Sequence, residues 1–318
     1  MLLIGKRILQ LVVVFVCVTF FTVMLISMVP GKPEVVVIPF DNPEQTQRQT
    51  FREENHLDRP LVVQWGYWAK DFVRGDMGNY YTSTGTNPVR DRIGAALPIS
   101  LLLILYVQIV SLGIAIPLAV WAAYKSGSRA DKLFNAGAFG CISLPGFAVA
   151  LIGTYILGVQ FNLVPTDGYT SPSDGLLEHV KSMVVPVLAL SLGQIAVYMR
   201  LLRSDLVATL QEDFILMAKA KGISNRRVLW RHALRPSSLT LLTVAGLSVG
   251  TLIGGALVVE YLLRIPGMGS LIGEAVLKRQ YVALQSMVAL IAIFFVLLNF
   301  LIDYLYTVLD PRIRERRS

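Results

Sequence analysis

The residues best placed for charge chemistry lie between Arg203 and Arg235, where seven Lys/Arg stand against three Asp/Glu between two runs with no charged residue. Residues 207–221 are rich in helix formers, Gly222 suits the left-handed position just past a helix C-terminus, and Ser224 suits the next N-cap. This pattern predicts a helix, a turn and a second helix. The second helix, over 225–234, would align Arg227, Arg231 and Arg235 at i, i+4 spacing and end against Pro236, which disfavours helical geometry before it. Such a stripe pairs with charges rather than breaking bonds. Two surfaces could receive it, a partner protein or an anionic lipid surface at a cytoplasmic loop, and charge alone leaves both open.

Bond-making constellations are missing from the pattern. His56, His179 and His232 are far apart, with no i, i+4 partner and no Cys pair, which gives a metal site no support. No G-x-x-x-x-G-K-[ST] occurs, since Gly31-Lys32 runs into Pro33, and no G-x-S-x-G elbow is present. Any nucleotide hydrolysis is therefore expected on another subunit. Cys17 and Cys141 fall inside apolar runs and read as packed small hydrophobes without a disulfide.

What must position the basic stretch is a membrane-embedded chain. Of 318 residues 54% are hydrophobic and 16% charged, with a mean hydropathy of +0.59. Six runs lack Asp, Glu, Lys and Arg: 8–31, 93–124, 133–166, 182–199, 236–259 and 280–302. Each supplies the roughly 20 apolar residues a span requires. The third, 34 residues long, exceeds one upright span, and its end near 161–165 is expected to emerge. Six crossings put both termini on one side. With the N-terminus inside, seventeen basic residues fall in cytoplasmic pieces, including Lys6, Arg7, Lys125, Arg129 and Lys132, against four (Lys181, Arg264, Lys278, Arg279) in short outer loops. The net charge of +8 is then mostly an orientation signal, and no basic face with interleaved aromatics points to nucleic acid. The first run, about 22 apolar residues without a small-x-small cleavage site, reads as an uncleaved anchor.

The remaining segments read as packing and loops. Residues 32–92 form an outer segment, with Trp65, Tyr67, Trp68, Phe72, Tyr80 and Tyr81 expected in its own apolar contacts rather than at the headgroup level, the other place amphipathic aromatics take. Pro98, Gly113 and Pro117 suggest kinks or close approaches in the second span, and Gly246, Gly250, Gly254 and Gly255 a smooth face in the fifth, for helix packing or for lining a translocation path. Residues 261–279, with Pro266, are expected as a turn-rich outer loop. Asp303, near the end of the last run, is expected to reach interfacial water or an arginine rather than relay protons. The apolar runs hold no acid, which disfavours a proton-driven secondary transporter, and a membrane enzyme would lack its nucleophile and base.

Four stretches in this order resemble the permease subunits of binding-protein-dependent ABC importers, in the dipeptide/oligopeptide branch. They are Lys6-Arg7-Ile8-Leu9-Gln10 with Val29-Pro30-Gly31; Leu57-Asp58-Arg59-Pro60 with Arg74-Gly75-Asp76-Met77-Gly78; residues 218–234; and Ile265-Pro266-Gly267-Met268-Gly269 with residues 303–314. One departure is Leu216, where the widespread loop motif opens with glutamate six residues before its glycine. The resemblance implies an all-α membrane protein of six transmembrane helices in the type I importer permease fold, N-in and C-in. An anchor helix and outer segment (1–93) would precede a core of five spans (94–318). The loop 204–236 would couple to ATPase subunits through Ala218, Lys219, Lys221, Gly222, Ser224, Arg226, Arg227, Arg231, His232 and Leu234. Also implied are a paralogous permease partner, two ATPases or one fused ATPase carrying ATP and Mg, an extracytoplasmic binding protein, and a bacterial inner membrane. No cofactor, metal or catalytic residue is implied in this chain. Di- or oligopeptides are the expected cargo. Nickel chelates or glutathione-like compounds are alternatives within the branch, and a secondary transporter or channel is the alternative outside it.

Overall fold

The computed structural model describes residues 2–28, 52–53, 56–82 and 85–309; the Val29-Pro30-Gly31 motif, residues 310–314 and the Asp303 side chain lie outside what is described. Along the chain run α1 (Leu2–Met28), α2 (Leu61–Val73), the hairpin β1 (Asn79–Thr82) and β2 (Gly85–Pro88), α3 (Val89–Tyr124), α4 (Arg129–Ser143) and α5 (Gly146–Gly153). Then follow α6 (Leu176–Thr209), α7 (Asp213–Ala220), α8 (Asn225–Arg227), α9 (Leu234–Leu262), α10 (Met268–Leu277) and α11 (Tyr281–Leu309). Two π-helical stretches extend α5 over Thr154–Gln160 and join α8 to α9 over Val228–Ala233.

Among the described residues five helices are long and apolar enough to cross a membrane: Leu9–Met28, Val89–Tyr124, Leu176–Thr209, Asn225–Leu262 and Tyr281–Ile302. A sixth is reached if Arg129–Ser143 and Gly146–Gln160 count as one span, bent by 94°. That bend corrects the expectation of a single overlong run. Leu144 precedes a proline and takes an extended conformation (φ −87°, ψ 120°), as the clash with the Pro145 ring dictates. The helix ends after Gln160, and residues 161–175 are irregular.

Contacts divide the chain into two compact units, residues 1–99 with 266–300 and residues 100–265 with 301–318. In the first, α2 packs its aromatic face: Trp68 and Phe72 are buried with Ala289, and the Trp68 indole donates to Ser286 Oγ at 3.0 Å. Tyr80 is fully buried in a second cluster with Val89, Met268 and Met287, beneath the Arg92 guanidinium at 3.9 Å from its ring. Burial, and next the nearby Glu274 carboxylate, push the Tyr80 phenol above its usual range. Trp65 donates to Thr19, whereas Tyr67 is exposed and stacks on His56. The loop expected at 261–279 contains α10, since Pro266 sits just before its N-terminus, where the missing N–H costs nothing.

The second unit is centred on α3, α4, α6 and α9. Ala115, Ala119, Ala138, Tyr198, Leu202, Leu206, Leu241 and Ala245 share one buried cluster, whose small residues let the helices approach closely. Inside it Gln108 donates to the Ala245 carbonyl (2.9 Å), Tyr198 donates to Gln108 Oε1 (3.0 Å), and Tyr198 and Ser248 share a hydrogen bond. A side chain at Gly246 would meet Ile302 at 2.9 Å, which makes that glycine a packing position, while Gly254 has open space before it. Cys141 is half-buried and Cys17 exposed, so Cys17 departs from the packed role expected of it: it lies on the face of α1 that no other described element covers. Glu260, in the last turn of α9 and just beyond the acid-free run, is buried at 1% exposure.

Candidate functional site: the basic segment between α6 and α9

The segment from α6 to α9 is built in three steps. The expected helix over 207–221 is divided: α6 stops at Thr209, a turn at 210–212 follows, and α7 starts at Asp213. Glu212 holds the N-cap position and Asp213 the first turn, where negative charge meets the positive end of the helix dipole. The C-terminus of α7 then closes as a Schellman motif. Gly222 has φ +76°, its N–H bonds the Lys219 carbonyl at 2.9 Å, and the Ile223 N–H reaches the Ala218 carbonyl at 3.2 Å.

Ser224 takes the expected N-cap position of α8, where its carbonyl receives the Val228 N–H (3.0 Å), although its side chain makes no capping bond. The second helix does not end at Leu234. It runs through Pro236 to Leu262 because the turn before the proline widens to a π-helix, one of the local adjustments by which membrane helices accommodate a residue without an N–H. Ser237, in the first turn of the resumed α-helix, donates to the Ala233 carbonyl and hydrogen-bonds Thr209 Oγ1, each at 2.9 Å. This ties α9 to the end of α6.

Ile215, Ala218, Val228, Leu229 and Ala233 are buried, all but Ala218 in the cluster of the second unit with Tyr198, Leu202, Leu206 and Leu241. The opposite face carries Lys219, Lys221, Gly222, Arg226, Arg227, Arg231 and Arg235, with Ser224 among them at the turn. Ala218 is thus a packing residue, and His232 and Leu234 lie towards the edge of the segment. Phe214 (47%), Leu216 (54%), Met217 (58%) and Trp230 (46%) stand exposed beside the cations, and the charge pattern does not single them out. Their mark in the sequence is simply large apolar residues inside a polar stretch. An apolar patch bordered by arginines has the composition of an interface.

Further contacts mark the two ends of the second unit. Arg203, near the end of α6, makes a fork-like pair with Asp131 at the start of α4, so the turn 125–128 lies beside the basic segment. At the other end the Gly168 N–H bonds the Leu263 carbonyl at 2.8 Å and Arg264 pairs with Asp167 at 3.2 Å. There burial, followed by Tyr106 and Asp174, pushes the Tyr169 phenol above its usual range. Among the described residues no group of three His, Cys, Asp or Glu could hold a metal.

Residues 115–315 match the family described as the binding-protein-dependent transport system inner membrane component. A probable peptide ABC transporter permease protein of Sinorhizobium fredii is 33% identical over 313 residues, covering 97% of this chain and 98% of the relative. The oligopeptide transport system permease protein AppB of Bacillus subtilis and the dipeptide transport system permease protein DppB of Alkalihalophilus pseudofirmus are each 31% identical, again over 97% of this chain and 98% of theirs. The chain belongs to this family of ABC importer permeases and is a multi-pass membrane protein.

Proposed function

We propose that the chain is the transmembrane permease subunit of an ATP-driven importer of di- or oligopeptides in a bacterial inner membrane. It lines the pathway with a second, paralogous permease and receives cargo from an extracytoplasmic binding protein. The segment 204–236 docks on an ATPase subunit that carries ATP and Mg. The observation that carries this reading is the two-faced basic segment, anchored by Ile215, Val228, Leu229 and Ala233 and presenting Arg226, Arg227, Arg231 and Trp230 outward. The peptide cargo rests on the names of three relatives aligned along almost the whole chain.

The mechanism follows from population shift. A contact equal in both states of a transporter moves nothing, so the docked segment must interact differently with the ATP-closed and open ATPase by a few kcal/mol. Its mounting on α6 and α9 transmits that difference to the spans. The test is uptake of labelled peptides by vesicles holding the full set of subunits. ATP-dependent uptake that needs both ATPase and binding protein supports the reading; uptake by the permeases alone, driven by an ion gradient, contradicts it. Competition by nickel chelates or glutathione in place of peptides would reassign the cargo within the branch.

A further inference from the structure

The basic segment is joined by the chain itself to α6 and α9, but α3 and α4 reach it only through side chains. The apolar part of that contact, with Ala138 and Phe134 against the shared cluster, is driven by a non-directional force. The polar contacts of Arg203 are directional: its Nη2 reaches Ser126 Oγ in the turn at 3.5 Å. Arg203 Nε and Nη2 grip the two carboxylate oxygens of Asp131, whose side chain is 5% exposed and that of Arg203 20%.

The carboxylate is itself held. It accepts the Gly127 N–H at 2.9 Å and Asn135 Nδ2 at 3.1 Å, while the Asp131 N–H bonds the N-cap Ser128 Oγ at 3.2 Å. Gly127 has φ +81°, the geometry that folds the turn back onto the carboxylate. A paired guanidinium and carboxylate fix angle and register as well as distance, and a buried pair resists separation because each partner would be left an uncompensated charge.

We propose that Asp131–Arg203 is a positioning latch that makes the turn 125–128 and the start of α4 move as one body with the basic segment. Its loss uncouples hydrolysis from transport and leaves docking intact. The latch rests on the importer reading. Neither residue belongs to the exposed docking face.

The experiment uses the assembled complex with Asp131→Asn and, separately, Arg203→Lys, which keeps the charge but loses the fork. ATPase activity is read with and without loaded binding protein, and labelling of a Lys132→Cys reporter is read with and without a non-hydrolysable ATP analogue. The latch predicts that ATPase still co-purifies, that stimulation by loaded binding protein falls by about fivefold or more, and that the reporter's nucleotide-dependent change in labelling disappears. Phe134→Ala, which weakens the same interface without touching the pair, should lower thermal stability and leave the stimulation ratio unchanged. If Asp131→Asn does not assemble, Arg203→Lys carries the test. Wild-type stimulation and reporter behaviour in the assembled variants would overturn the latch. Absence of stimulation in the unaltered complex would instead overturn the importer reading.

Discussion

Among the glycines with positive φ, Gly222 and Gly78 predict two different failures on substitution. At Gly222 nothing lies within 4 Å of where a Cβ would sit, so the penalty of a side chain comes from φ +76° alone. Gly222→Val should cost about 1–2 kcal/mol and misaim α8, whereas Gly222→Asn, tolerated in the left-handed region, should keep most of the function. Peptide-dependent growth of the two variants checks this, and equal growth of both would remove Gly222 from the account. Gly78 combines φ +76° with a Cβ position only 2.5 Å from Val282 Cγ1. Gly78→Ala should therefore destabilise by about 2 kcal/mol or more, read as a lower thermal midpoint in detergent, without change in ATPase docking.

At the scale of elements, the basic segment predicts its own dissection. Reversing Arg227 and Arg231 to Glu leaves the buried face of Ile215, Val228 and Ala233 untouched, so the fold should persist while ATPase is released. Trp230→Ala, on the same exposed face, should weaken docking with a smaller dependence on salt, since it removes apolar area rather than charge. The turn at Gly222 and the outward arginines are legible in the sequence because left-handed glycines and i, i+4 stripes are local properties. The continuation through Pro236 is not, because a π turn depends on the tertiary packing of Val228, Leu229 and Ala233. The 94° bend has a local sign in Leu144-Pro145 that a count of uncharged residues passes over. Burial of Ala218, and of Glu260 beyond the acid-free run, is a tertiary property that local spacing does not report.

For the whole molecule, the apolar runs and the bias of Lys and Arg state an orientation that the structure's contacts allow to be probed. The turn 125–128 and the basic segment share one side of the second unit through Asp131–Arg203. Cysteines at Ser126 and Asn225 should be shielded from an impermeant reagent in intact cells, and one at Asn79 should react. Labelling at Asn225 from outside would overturn the N-in, C-in arrangement. The central claim, that residues 204–236 are the dock for an ATPase rather than a lipid contact, is tested most directly by co-purification. ATPase should be recovered with the wild-type permease and lost with the Arg227→Glu, Arg231→Glu double variant at equal permease yield. Full recovery with the double variant, accompanied by weaker binding to anionic vesicles, would contradict it.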